Sequence, residues 1–285
     1  MTETTTTASA RDINILMREG HVHIADVERL CIELVEHHAR RIGRPARLLE
    51  IGCASGIMAE TVAARVPELA VIAHEDYPPF AELARTRLQH TRVQLVTGPL
   101  EELTEPVDIL LSAGAHHHLP AGYLAHARKL LGDDGVFVLA DEFCPEYCNR
   151  EQREHVASAA VVHVVNGYVL TSDAERDMLV EHGMLPPRAI DMEARRRRAL
   201  WHWYRYVVDE AMRGDHIEVA VAELTSARDD LVTGCEAEHK LAPSILERQL
   251  QLAGFRVTAK HVFGPTDDPS LQSIIAYEAV LAARA

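Results

Sequence analysis

Glycine and carboxylate residues at the end of one apolar run are the first candidates for chemistry. The run covers residues 48–51 and leads into Glu-x-Gly-x-x-x-Gly, formed by Glu50, Gly52 and Gly56, with a helical pattern over residues 57–66 directly after it. A glycine lets the backbone approach a ligand closely, and the unpaired N–H groups of the following helix attract an anionic group such as a carboxylate. The pattern therefore predicts a strand, a turn and a helix that hold a nucleotide-type cofactor. A tight strand-to-helix turn without a ligand is the alternative, because it would have the same sequence pattern. It fits neither the dinucleotide fingerprint nor the phosphate-binding loop, since no lysine follows Gly56.

Acidic side chains also follow the second predicted strand, residues 70–73. Glu75 and Asp76 come shortly after it, and a helical pattern begins at Phe80. A carboxylate at this strand end can accept hydrogen bonds from both hydroxyl groups of a ribose. Counting back from the helix favours Glu75 over Asp76, and a solvated turn acid is the remaining alternative.

Three consecutive histidines follow the fourth predicted strand, residues 107–111. In an open α/β sheet the ends of neighbouring strands face the ligand crevice, so His117 or His118 is a candidate general base near neutral pH. Packing of one histidine at a helix start is the alternative. A metal site is not expected, because adjacent side chains diverge and a second segment would have to supply ligands. A turn over residues 132–135 precedes the fifth predicted strand, residues 136–140, after which Glu142 is a further candidate base.

The motif at Glu50, Gly52 and Gly56 resembles motif I of the class I S-adenosylmethionine (SAM) dependent methyltransferases. Ala253-Gly254-Phe255 matches the Leu-x-x-Ala-Gly-Phe pattern that precedes the last hairpin in that family. The resemblance covers residues 46–142 and 243–283. It implies an α/β fold, a Rossmann-like seven-stranded, mostly parallel sheet with an antiparallel last strand, and SAM as the cofactor of methyl transfer to a small molecule.

The resemblance also implies a site for each part of the cofactor. The methionine part lies against the first turn (Glu50, Gly52, Ala54, Gly56), and the ribose lies at Glu75, which the family's proline at Pro78 supports, or at Asp76. Many relatives carry an aspartate beside adenine where this chain has Pro99, so backbone groups around Gly98, Pro99 and Leu100 are the expected substitutes. Ser112 borders the cofactor after the fourth strand. The candidates for base or substrate anchor are His117, His118, Glu142 and Tyr147, and residues 201–206 could form an aromatic cage for the sulfonium.

Composition narrows the range of partners. The chain has 285 residues, 47% of them hydrophobic, which is ample for a packed core. Its 29 Lys and Arg against 43 Asp and Glu give a formal charge of −14, which disfavours nucleic acid and anionic membranes as partners. Five scattered cysteines without a C-x-x-C pair favour a reducing cytoplasm. We expect a small-molecule substrate, and the oligomeric state stays open, with a homodimer among the options.

The element pattern predicts four segments. Residues 1–45 form a polar tail and a helical segment, whose apolar face runs along residues 26–42, and residues 46–142 form the SAM-binding core. Residues 143–240 read as helices and form a cap inserted between strands five and six, and residues 241–285 complete the sheet. A SAM-cyclising lyase, similar to azetidine-2-carboxylate synthases and releasing methylthioadenosine, and a noncatalytic SAM-binding module are the alternatives to methyl transfer.

Overall fold

A seven-stranded sheet forms the centre of the protein in a computed structural model, which describes Ile15 and residues 17–119, 122–143, 205–228, 243–264 and 274–283. The strands are β1 (Arg47–Ile51), β2 (Ala70–His74), β3 (Gln94–Val96), β4 (Val107–Ala113), β5 (Leu131–Glu142), β6 (Phe255–Phe263) and β7 (Ile274–Leu281). The helices are α1 (Ile24–Ile42), α2 (Ile57–Arg65), α3 (Pro78–Leu88), α4 (Tyr123–Leu130), α5 (Ile217–Arg228) and α6 (Pro243–Leu252). Residues 205–213 are also helical, and Leu100–Glu102 and His116–His118 form short 3₁₀ turns.

The strand order places a ligand crevice near the centre of the sheet. The order is β3-β2-β1-β4-β5-β7-β6, with β1 to β5 paired in parallel and β7 antiparallel to both of its neighbours. The chain moves outward from β1 to β3 and then returns to place β4 on the other side of β1. Such a reversal opens a crevice at the carboxyl ends of the central strands. The predicted Rossmann-like sheet, including its antiparallel last strand, is confirmed.

The helix α1 packs its apolar face on the sheet. Val27, Cys31 and Val35 are buried, and the helix contacts β4, β5 and β7. It ends as predicted at Gly43, whose φ of +67° is left-handed and favours glycine. The hydrophobic periodicity thus located both the helix and the face that it buries.

The largest difference from the predicted elements lies before the fifth strand. Residues 132–135, predicted as a turn, belong to β5, and between Val107 and Ile109 the paired residues of β5 advance from Leu131 to Val136. A Cβ at Gly135 would lie 2.9 Å from the carbonyl oxygen of Asp108. Residues 132–135 have no paired residues of their own in β4, and they form an irregularity within β5 that Gly135 holds close to Asp108.

The N-terminal segment, residues 17–23, packs against helices that belong to the predicted insertion. Ala211, Val219 and Ala220 form a small buried cluster with Met17 against it. The helices over residues 205–228 agree with the prediction in the part that the structure describes, while residues 144–204 and 229–242 lie outside it. The division into four segments stays a prediction. Within the described ranges, no helix is both long and apolar enough to cross a membrane.

Candidate active site

The turn after β1 has a backbone that glycine alone fits. Gly52 has a φ of +73°, and a Cβ there would lie 2.4 Å from the Cβ of Ala115. The amides of Gly52 and Cys53 both donate to the carbonyl oxygen of His74, at 3.0 and 2.9 Å. Ala54 also adopts a left-handed φ of +47°, which is unfavourable for a residue with a Cβ. The turn is therefore fixed between the ends of β2 and β4, as a cofactor turn requires.

Glu75 joins this turn to the end of β2. Its Oε2 accepts a hydrogen bond from the amide of Ala54 at 2.8 Å, and its Oε1 accepts one from the amide of Tyr77 at 3.0 Å. Burial raises the pKa of Glu75, and the two amides oppose that rise. Each oxygen of an ionised carboxylate has a further lone pair, so Glu75 can also accept hydrogen bonds from ligand hydroxyls. The neighbouring Asp76 is exposed.

Glu50 is a buried carboxyl group with an unmet hydrogen-bonding capacity. It is 3% exposed, and its Oε2 has no hydrogen-bond partner among the residues that the structure describes. Burial, together with the negative charges of Glu28 and Glu75, raises the pKa of Glu50 to about 8 against the opposing amide of Ala59. A buried polar atom without a partner is costly. A cationic ligand group beside Glu50 would both supply a donor and favour the ionised carboxylate.

A cavity of about 970 Å³ opens at the carboxyl ends of β1, β2, β4 and β5. This is near the top of the range of about 300–1,000 Å³ that is usual for ligand sites. Eight of the predicted site residues line it: Glu50, Gly52, Ala54, Glu75, Asp76, His117, His118 and Glu142. The cavity therefore brings together the predicted cofactor turn, the strand-end carboxylates and the histidines.

Five other predicted residues are not among those that line this cavity. Ser112 is fully buried within β4, and Gly56 begins α2 close to Leu88. Gly98 accepts a hydrogen bond from Nε2 of His74 at 2.9 Å through its carbonyl group, next to Pro99 and Leu100. The wall beyond Glu75 is instead formed by Tyr77, Pro78 and Phe80. Tyr147 lies outside the described residues, as do four of the six residues predicted as an aromatic cage, and Tyr206 is not among the lining residues.

His117 and Asp141 form a buried pair at the cavity. Nδ1 of His117 lies 2.6 Å from Oδ1 of Asp141, and the amide of His117 donates to Oδ2 at 2.9 Å. Burial opposes ionisation of Asp141, but the charge and hydrogen bond of His117, aided by His116 and the amide of Glu142, hold its pKa below the usual range. An ionised carboxylate only accepts hydrogen bonds. Nδ1 therefore carries a hydrogen, which makes Nε2 the basic nitrogen of the neutral ring.

The other two histidines of the run differ in environment from His117. His116 is buried against Tyr123, with Nδ1 2.6 Å from the tyrosine hydroxyl, and burial lowers the pKa of His116 to about 4. It is an uncharged packing residue. His118 is exposed, with its ring centroid 3.9 Å from that of His117. Within the described parts of the chain, no three His, Cys, Asp or Glu side chains are grouped in a way that could hold a metal ion.

The sequence predicts Glu142, after the fifth strand, as a candidate base, and Asp141 lies at the same strand end. The structure brings Asp141 to His117, and it brings Glu142 to His21, whose Nε2 lies 3.2 Å from Oε1 of Glu142. Glu223 of α5 lies 3.7 Å from the same nitrogen and also lines the cavity. The strand-end position marked Asp141 and Glu142 equally. No local signal pointed to Glu223, because its role depends on how α5 packs.

Comparison with known proteins identifies the central region. Residues 48–135 match the model of a family described as "Methyltransferase domain". These residues form a methyltransferase domain. For this domain, the predicted class I SAM-dependent methyltransferase superfamily and SAM as its cofactor are confirmed, while the azetidine-2-carboxylate synthase branch stays a prediction. No curated protein sequence matches the chain.

Several solved structures match the chain at low sequence identity, and the first of these shares its fold. The mitomycin 7-O-methyltransferase MmcR is 14% identical with a TM-score of 0.51, over 97% of this chain and 59% of that one. The cyclopropane synthase MmaA2 from Mycobacterium tuberculosis is 16% identical with a TM-score of 0.44, over 80% of this chain and 62% of that one. The 1,6-didemethyltoxoflavin-N1-methyltransferase from Burkholderia thailandensis, solved with S-adenosylhomocysteine, is 14% identical with a TM-score of 0.48, over 96% of this chain and 84% of that one. This chain thus spans about three fifths of the length of the first two proteins.

Proposed function

We propose that the chain is a SAM-dependent methyltransferase that acts on a small-molecule acceptor in the cavity beside His117. The observation that carries the proposal is the meeting, at one cavity, of the Gly52 turn, the Glu75 carboxylate and the His117–Asp141 pair. Most of the lining residues belong to the methyltransferase domain, and the end of β5, α1 and α5 supply others. When bound, SAM supplies an electrophilic methyl group on a sulfonium.

The part of the cavity around Glu50, Gly52 and Glu75 has the hydrogen-bond acceptors and the backbone room that SAM needs. Glu50 would accept hydrogen bonds from the ammonium group, and the Gly52 turn gives the backbone room at the methionine part. Glu75 would accept hydrogen bonds from the ribose hydroxyls while it keeps its bonds to the amides of Ala54 and Tyr77. Tyr77 and Phe80, whose rings lie 5.5 Å apart, would contact the adenine. These assignments rest on the unpaired Oε2 of Glu50 and on the space beside Gly52 that a Cβ would fill.

His117 is the proposed catalytic base. Its Nδ1 donates to Asp141, so Nε2 accepts the proton of the acceptor O–H or N–H group as the new bond to the methyl carbon forms. Asp141 is a positioning residue that selects this tautomer and stabilises the imidazolium. The products are the methylated acceptor, S-adenosylhomocysteine and one proton, which His117 later returns to water. General base catalysis of this kind contributes about 10²–10⁴-fold.

Incubation with SAM tests the reaction directly. The 285-residue chain is incubated with SAM alone and with panels of phenols, alcohols, amines and carboxylic acids, and the products are measured by mass spectrometry. Methyl transfer predicts S-adenosylhomocysteine only when an acceptor is present. Accumulation of methylthioadenosine without any acceptor would replace this proposal with the cyclising lyase. Micromolar binding of SAM without turnover of any compound would favour the noncatalytic module.

Substitution of Asp141 tests the role of the pair once an acceptor is known. Asp141→Asn is expected to lower turnover by about 100-fold and to move the acidic limb of the pH–rate profile to lower pH, because the imidazolium of His117 loses its carboxylate partner. Asp108→Asn is the matched control. Asp108 also lies in a strand and accepts a backbone amide hydrogen bond, from Arg47 at 2.9 Å, but it is not among the residues that line the cavity. An unchanged pH profile in Asp141→Asn would contradict the assignment.

A further inference from the structure

His21 lies where three parts of the described chain meet: the N-terminal segment, the end of β5, and α5. Its side chain is fully buried, and Nε2 lies 3.2 Å from Oε1 of Glu142 and 3.7 Å from Oε1 of Glu223. Both glutamates line the cavity, and Glu142 directly follows Asp141. His21 thus contacts the wall of the cavity next to the proposed catalytic pair.

Both ring nitrogens of His21 face hydrogen-bond acceptors. Nδ1 lies 2.6 Å from the carbonyl oxygen of Val22, which only accepts, so Nδ1 carries a hydrogen. In the neutral ring, Nε2 would then turn a lone pair toward two carboxylates, whereas the imidazolium presents an N–H group to them. Burial lowers the pKa of His21, but the hydrogen bond and charge of Glu142 and the charge of Glu223 outweigh burial and raise it above the ordinary value. Geometry and electrostatics both favour a buried cation.

The N-terminal segment around His21 packs directly against α5. A Cβ at Gly20 would lie 2.7 Å from His216 and 2.8 Å from Val219, so the backbone of the segment is in close contact with α5. The amide of His21 donates to the carbonyl oxygen of Met17 at 2.9 Å. Among the described residues, the titratable groups that face His21 are Glu142 from β5, Glu223 from α5 and His23 from its own segment. Burial and the charge of His21 lower the pKa of His23.

We propose that His21 is a positioning residue, a buried imidazolium that holds Glu142 and Glu223 side by side and so fixes the cavity wall at its acceptor end. The proposal rests on the proposed function at one point only, namely that the acceptor binds at this end of the cavity. Loss of the cation removes the positive charge between the two carboxylates, which is unfavourable. The N-terminal segment and α5 then separate from β5. While both glutamates are ionised, the stabilisation is complete below the pKa of histidine in the unfolded chain, about 6.5, and is lost as the pH rises through the pKa of His21.

Titration of the native chain tests the charge of His21. Protein labelled with ¹³C at the histidine Cε1 is titrated by NMR, and the signal that is missing in His21→Gln assigns the residue. We expect a midpoint above the ordinary value of about 6.5 for histidine, and a lower midpoint in Glu142→Gln. A midpoint at or below about 6.5 in the native chain would overturn the proposal. If His21→Gln does not fold, the signal that shifts in Glu142→Gln and Glu223→Gln assigns the residue instead.

Hydrogen exchange tests the positioning role. At neutral pH, His21→Gln is expected to raise amide exchange of residues 217–228 about tenfold, because a buried charge pair has been broken. His21→Gln/Glu223→Gln removes the facing carboxylate as well and is expected to return exchange to within about threefold of the wild type, as coupled neighbours do. His38→Gln is the control, since its Nε2 lies 2.6 Å from Oε2 of Glu278 and neither residue lines the cavity. Equal exchange in His21→Gln and the wild type, or additive losses in the double variant, would refute the positioning role.

Binding of S-adenosylhomocysteine by calorimetry separates this proposal from the proposed function. If the wild type binds it while His21 titrates as an ordinary histidine, the positioning role alone is wrong. If the wild type binds neither SAM nor S-adenosylhomocysteine while His21 behaves as predicted, the cofactor assignment alone is wrong.

Discussion

Replacement of Gly52 by alanine tests the cofactor turn, with Gly43→Ala as its matched control. Both glycines have a left-handed φ, +73° and +67°, so both variants lose about 1–2 kcal/mol to the conformation of a residue with a Cβ. They differ in surroundings. A Cβ at Gly43 has nothing within 4 Å, whereas one at Gly52 lies 2.4 Å from the Cβ of Ala115. The side chain of Ala115 is a single methyl group and cannot rotate away. The backbone must therefore shift, which costs about a further 1–3 kcal/mol.

The free energy of unfolding, measured by urea denaturation, is therefore expected to fall by about 1–2 kcal/mol in Gly43→Ala and by about 2–5 kcal/mol in Gly52→Ala. The shift also displaces the amides of Gly52 and Cys53 that bond to His74. Affinity for S-adenosylhomocysteine, measured by calorimetry, should drop at least about tenfold in Gly52→Ala, equal to about 1.4 kcal/mol, and stay unchanged in Gly43→Ala. Equal stability and equal affinity of the two variants would refute the reasoning.

Glu75→Ala is expected to weaken binding of S-adenosylhomocysteine by about 10- to 100-fold, because hydrogen bonds to a charged group contribute about 1.5–3 kcal/mol, and to weaken it more than Asp76→Ala does. Glu50→Gln should melt at a higher temperature than the wild type at about pH 8.5 and with a smaller difference at about pH 6, while it binds SAM more weakly. The raised pKa of Glu50 means that the folded state keeps a proton that the unfolded chain has released, so wild-type stability falls as the pH rises toward 8. Ala54→Gly should raise the free energy of unfolding by about 1 kcal/mol, since it relieves the left-handed φ of +47°.

A specific result would contradict each of these three predictions. A larger loss of affinity in Asp76→Ala than in Glu75→Ala would move the ribose contact to Asp76. A difference in melting temperature between Glu50→Gln and the wild type that does not grow with pH would show that Glu50 is already ionised in the folded chain. A less stable Ala54→Gly variant would show that the Ala54 methyl group makes contacts that outweigh the backbone strain. Calorimetry in two buffers of different ionisation enthalpy checks Glu50 independently, because SAM binding near pH 7 should release a proton.

The local sequence was enough to predict most elements of the sheet. Helix α1 was located from its apolar residues at spacings of three and four, and β1 with its turn from the apolar run before Gly52. Residues 132–135 were predicted incorrectly as a turn, because glycine and aspartate favour turns locally. In the fold these residues stay beside β4, where Gly135 allows the backbone to approach Asp108. Packing beside β4 decided the outcome, and that strand lies more than twenty residues away along the chain.

The same distinction between local sequence and tertiary structure applies to the candidate site. Sequence spacing by itself determined the Gly52 turn and the strand-end carboxylates, because each depends on a few adjacent residues and on the rule that parallel strands end at one edge. Only the tertiary structure decided which partner each side chain meets. Asp141 and Glu142 are adjacent, yet Asp141 meets His117 and Glu142 meets His21. Successive residues of a strand point to opposite faces, so their partners depend on how the 3₁₀ turn after β4 packs on one face and the N-terminal segment on the other.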